Sequence, residues 1–325
     1  MAISSALTLG TAEAQSKLSE AEMNELGEAI EQSDNGKADK AVKTLTRLAE
    51  AHPQENAIRY ELGYALLKDY KYADAAATFH ALRDVDGMSE MAYQMEGNAL
   101  DMAGRRGDAV RTYKEGLMRH PSSGRLLMEL GTIRMQEEDY DGALALYERG
   151  IEADPEFSSN YYRAAWLLFC SDTPEDGIAY GETYIIMAKT GDRVAEMSEM
   201  TYYAYATVLR KAAMAGDPMA EAAKNSGYAA EDGDHPTLRA ISAAKRARLE
   251  REAGNETEER LRNFERMVLE AGHWDAYCRW LTYKGNKEEF NGWLSLHEDD
   301  MENFALWINK HGDRIKAGET VTDED

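Results

Sequence analysis

The chain has 325 residues, 43% of them hydrophobic and 30% charged, which is enough to bury a sizeable core and allows two or three ordinary domains. Acids outnumber bases 60 to 37, a formal charge of −23, and this argues against nucleic acid or an anionic membrane surface as a partner, since both attract a positive field. No apolar run approaches the roughly 18 residues of a membrane span, and 6 prolines among abundant Ala, Glu, Leu, Met and Arg make a helical composition.

The N-terminus is read apart from the rest. Residues 2–9 are small and apolar, and Ala12-Glu13-Ala14 before Gln15 has the small-x-small shape of a signal-peptidase site, but no basic residue precedes the apolar stretch. Two expectations follow. If residues 2–14 are the end of a signal peptide, the protein is periplasmic or exported and its mature chain starts at Gln15. Otherwise residues 1–16 are a disordered tail and the protein is cytoplasmic, the reading slightly favoured.

From about residue 22 a period of 34 governs the chain. Gly63, Gly97 and Gly131 lie on it, followed by Ala165; so do Ala41, Ala75, Ala109 and Ala143, followed by Gly177. Phe79, Tyr113 and Tyr147 keep the step, as do Pro53, Pro121 and Pro155, with Gly87 in the gap. Each period predicts two amphipathic helices, such as Ala57–Lys68 and Asp108–Arg119, separated by a short break (69–72, 104–107). The glycine and alanine columns predict a close helix crossing. The aromatic column is expected to fill the space between successive units, and the prolines stop each second helix. One such pair cannot bury its own apolar face, so neighbours must stack.

Leu62-Gly63…Ala75…Phe79 and Leu130-Gly131…Ala143…Tyr147…Pro155 resemble the tetratricopeptide repeat family, over about residues 22–189. Three positions depart from its pattern: Glu96 stands where leucine is expected, and Gly177 and Gly181 replace an alanine and an aromatic. The resemblance implies an all-α, right-handed superhelix of antiparallel helix pairs with a concave groove, whose usual role is binding peptides or proteins rather than catalysis.

Past residue 190 the columns fade. A long helix is predicted over Arg193–Ala215, broken at Gly216-Asp217-Pro218, then a short one over Met219–Lys224 and a loop over Gly227–Pro236. Helices follow at 237–253, 256–271, Asp275–Tyr283, Lys287–His297 and Asp299–Arg314. The domain organisation expected is therefore 1–16 as remnant or tail, 17–189 as the repeat array, 190–317 as a divergent helical region continuing or capping it, and 318–325 as an acidic disordered tail.

Chemistry finds little support. There is no phosphate-binding loop, GxGxxG, GxSxG or HExxH. His52 and His120 precede prolines and are expected to meet helix C-terminal carbonyls. His297-Glu298-Asp299-Asp300 reads as a helix start whose acids suit the macrodipole, not as a metal site. Cys170 and Cys278 are expected to be two buried thiols, with one disulfide as the alternative. Trp274, Trp280, Trp293 and Trp307 are expected to form a core or end-cap. No catalytic residue, metal or cofactor is expected.

The resemblance places the ligand-contacting face on each first helix. Carried over by register, it includes Tyr60, Tyr64, Met91, Met95, Asn98, Met102, Arg125, Met128, Met135, Tyr162, Arg163 and Trp166. Flexible thioethers and flat rings suit adaptable contact with apolar side chains. Asn98 and Arg163 match the carboxylate clamp of co-chaperone members, but Glu129 would repel an anion there, so that specialisation is not expected. The function expected is a scaffold binding a segment of a protein partner. The alternatives are a cell-envelope assembly subunit working through convex or end surfaces, and, with less support, an enzyme with a C-terminal site.

Overall fold

The computed structural model describes residues 18–217, 221, 224–225, 236–249 and 253–317. The expected signal remnant, most of the short helix and loop around 219–235, and the acidic tail lie outside them. Of the described residues 78% are helical and none is in a strand. They form two compact units, residues 1–139 and 140–325.

The first unit is a run of helices, each packed on the next: α1 (Glu20–Asp34), α2 (Ala38–Ala51), α3 (Asn56–Lys68), α4 (Tyr72–His80), α5 (Ser89–Met102), α6 (Arg106–Arg119) and α7 (Gly124–Gln136). Helix α1 opens on a capping box, Ser19 with Glu22. Glu22 also meets the His52 ring, Nε2 to Oε1 2.8 Å, and these bonds hold its carboxyl down at about 2. The small columns behave as sterics requires. A Cβ on Gly63 would lie 2.7 Å from the Phe79 ring, and one on Gly97 would lie 2.1 Å from the Tyr113 ring. Ala75 and Ala109 are fully buried at the same crossings. Phe79 and Tyr113 thus fill the crossing inside their own helix pair, where the glycine vacates room.

The departure at Glu96 has a partner. Arg83, from the turn after α4, donates to Glu96 and to Glu115 (2.9 Å) and Thr112 (3.1 Å), and its guanidinium lies over the Tyr93 ring. An acid replaces leucine here because an arginine enters the same space. His52 and His120 correct another expectation. Each caps its helix through the backbone N–H, but the rings reach side chains of an earlier helix, His120 Nε2 lying 2.9 Å from Ser89 Oγ.

The second unit comprises α8 (Tyr140–Ala153), α9 (Ser158–Phe169), a 3-10 turn (Pro174–Gly177), α10 (Ile178–Ala188) and α11 (Asp192–Ala215), then α12 (Leu238–Arg248), α13 (Glu256–Glu270), α14 (Trp274–Thr282), α15 (Lys287–Leu294), α16 (Glu298–His311) and α17 (Arg314–Ala317). Helix α10 is buried from Ile178 to Ile186, since α9, α11, α13 and α17 all pack on it. The glycines at 177 and 181 are explained by Phe169. Its ring comes from α9 and occupies the space where a Cβ of either glycine would stand, at 2.9 and 3.0 Å. Trp274 is buried, and Trp280 and Trp307 join Phe264, Tyr277 and Phe304 in an aromatic core. Cys278 is buried, its thiol pushed up to about 12 by burial. Cys170 is exposed, contrary to the expectation of two buried thiols, and neither forms a disulfide.

Candidate peptide-binding surface

The face expected to bind ligand is carried in the first unit by α3, α5 and α7. Side chains spaced one helical turn apart point the same way, and hydrogen bonds tie α5 to α7. Gln94 Nε2 donates to Glu129 Oε1 at 2.6 Å, Asn98 Nδ2 to the same oxygen at 3.4 Å, and Arg125 Nη1 to Gln94 Oε1 at 3.3 Å. Tyr113 donates to Asn98 Oδ1 at 2.6 Å, which fixes that amide from below. The amides and guanidinium are therefore pre-ordered, while Met91, Met95, Met128 and Met135 stand half-buried around them and Met102 is exposed.

On α3 the residues separate. Tyr60 is buried and stacks edge-on against Phe79, so it belongs to the core; burial raises its phenol to about 12. Tyr64 is half-buried, with the Lys68 ammonium over its ring at 4.8 Å. Lys68 is held by Asp34 at 2.6 Å. Glu61, one turn before Tyr64, is half-buried and has no donor among the described residues. Its carboxyl is shifted upward by burial and by the neighbouring Asp34 charge. Glu61 stands 34 residues before Met95, and register alone does not single it out.

In the second unit, Tyr162 donates to Glu196 Oε2 at 2.8 Å, lies beside the Tyr184 ring, and has the Arg193 guanidinium 5.0 Å from its ring centre. Arg163 and Trp166 are half-buried on the same helix.

Two further concavities mix charged and apolar side chains. One, of about 460 Å³, is lined by Ala73, Ala76 and Ala77 of α4, by Arg83, and by Thr112 and Glu115 of α6. The other, of about 180 Å³, is lined by Glu148, Ile151, Glu152, Tyr180, Glu256 and Arg260 in the second unit. Among the described residues no three His, Cys, Asp or Glu side chains converge as a metal site, and no helix is long and apolar enough to cross a membrane.

Residues 26–87 and 95–156 match the tetratricopeptide repeat family model. A comparison with curated proteins finds no match. Among solved structures, MamA of Desulfovibrio magneticus RS-1 is similar at 15% identity and a TM-score of 0.39, over 54% of this chain and 98% of that one. TTC0263, a thermophilic TPR protein of Thermus thermophilus, is similar at 17% identity and a TM-score of 0.45, over 55% and 98%. The 34-residue columns, the glycine–aromatic crossings and the family match agree: residues 26–87 and 95–156 of the chain carry tetratricopeptide repeats.

Proposed function

We propose that the first-helix face binds an extended or helical segment of a protein partner, and that the chain acts as an adaptor rather than through chemistry of its own. The observation that carries this reading is the row of half-buried methionines and Tyr64 around the ordered Arg125–Gln94–Glu129–Asn98 network. Thioethers adapt to varied apolar side chains, and fixed amides orient a backbone. In the second unit, Arg163 and Trp166 of α9 offer a surface of the same type. The repeat array runs on this reading from residue 17 to about 189, with 190–317 as a divergent helical region continuing or capping it.

The test starts from a partner recovered by pull-down from the native organism. Tyr64→Ala, Met95→Ala and Trp166→Ala should each weaken binding, by about 2 kcal/mol where the side chain is a hot spot, with melting curves close to the parent. Unchanged affinity in all three would move the binding site off this face. Losses in melting instead of binding would assign these side chains to the core.

A further inference from the structure

The first-helix face holds one feature that folding alone disfavours. Glu61 is half-buried on α3, no cation or hydrogen-bond donor among the described residues reaches its carboxylate, and Asp34 lies close enough to raise its pKa. The lysine on the same helix is engaged elsewhere: Lys68 Nζ sits 2.6 Å from Asp34 Oδ1 and over the Tyr64 ring. A partly desolvated carboxylate beside a like charge costs stability unless something compensates it. Nearby acids elsewhere in the unit are compensated, Glu96 by Arg83 and Asp108 by Arg105 and Arg111. Local rules broken without an internal gain mark sites of function.

The surroundings state what would compensate it. Along the 34-residue step Glu61 is followed by Met95, and Tyr64, one turn on, adds an aromatic face. A cation arriving there would meet a carboxylate and a ring, while its apolar neighbours would meet thioethers. The whole chain carries −23, so basic segments are drawn to it and acidic ones repelled.

We infer that the segment bound by this face is amphipathic and basic, placing a lysine or arginine on Glu61 with apolar residues against Tyr64, Met91 and Met95. This rests on the binding face proposed above. It names the partner's chemistry: a positively charged anchor set among apolar side chains.

The experiment selects a displayed library of random short peptides on the full-length chain and repeats the selection on Glu61→Gln, Tyr64→Ala and Met95→Ala. Parent binders should be enriched in Lys or Arg beside apolar residues. Their affinity should fall about tenfold or more on Glu61→Gln, since a charge-assisted hydrogen bond is lost. That variant should melt no lower than the parent, because it relieves the repulsion from Asp34. Glu256→Gln, an exposed acid of the second unit, should leave binding unchanged. Peptides that depend on Tyr64 and Met95 but show neither basic enrichment nor sensitivity to Glu61→Gln would overturn the inference and leave the face standing. Peptides indifferent to Tyr64 and Met95, or no selected peptide at all, would count against the face and the inference together.

Discussion

Gly36, Tyr70, Gly104 and Glu138 stand 34 residues apart, and all four take a positive φ, at 75°, 60°, 75° and 61°. Each closes a first helix in the same way. The N–H of the next residue returns to a carbonyl five residues back: Lys37 to Gln32, Lys71 to Leu66, Arg105 to Leu100 and Asp139 to Arg134, at 2.8–3.0 Å. This is the Schellman ending, which wants glycine in its left-handed position. Two of the four positions lack it, so Tyr70 and Glu138 hold a conformation that costs an L-residue about 1–2 kcal/mol. Gly104→Ala should therefore lose about 1 kcal/mol. Tyr70→Gly should gain up to about 1 kcal/mol, reduced by the greater freedom glycine gives the unfolded chain. Urea midpoints at unchanged m-value would read both; a destabilised Tyr70→Gly would show that its exposed ring, packed edge-on to Tyr72, contributes more than the strain.

At the scale of the helix pair, the glycine and its aromatic act as one unit. Tyr113 cannot swing aside to admit a side chain at residue 97, because its ring is buried and its hydroxyl is tied to Asn98. Gly97→Leu and Ala109→Trp should each cost a few kcal/mol by overpacking the α5–α6 crossing. Thermal melting checks this, and a variant at the parent Tm would refute the assigned register. The α9–α10 pair solves the same problem in reverse, with the ring of Phe169 on the first helix and glycines in the turn before the second and on it. A missing aromatic at 181 is therefore a relocated contact, not a lost one.

Across the second unit, a buried charge cluster joins five helices. Lys245 Nζ on α12 lies 2.5 Å from Glu182 Oε1 on α10 and 2.6 Å from Glu265 Oε1 on α13. Arg248 approaches both acids at 3.4 and 3.5 Å, and the hydroxyls of Tyr205 (α11) and Tyr277 (α14) donate to them. Lys245, Glu182 and Glu265 have no exposed surface. Burial opposes the charge on Lys245, but the two carboxylates outweigh it and raise its pKa; burial opposes the charge on Glu265, and Lys245 with Arg248 outweighs it and lowers its pKa. Removing one member strands the others. Lys245→Met should cost about 3–5 kcal/mol, whereas replacing Lys245, Glu182 and Glu265 together by apolar residues of similar volume should recover most of that. Denaturant unfolding of the two variants tests the contrast, and a Lys245→Met protein as stable as the parent would remove the cluster from any structural role.

The amino-acid order alone determined the helix pairs, their ends and the glycine, alanine and aromatic columns, because these depend on contacts between residues close in the chain and repeat at a constant step. It marked the first-helix face in outline for the same reason: Met95, Asn98 and Arg125 are placed by register. It also showed that Glu96, Gly177 and Gly181 depart from the pattern, without showing what answers them. Tertiary structure decided the rest. Arg83 reaches Glu96 from a turn, Phe169 crosses to another helix, and Lys245 meets Glu182 from 63 residues away. No period links those positions. A single charge on an amphipathic helix reads as solvated until another helix covers it, and that covering is set by how α10 is enclosed, which local sequence does not encode.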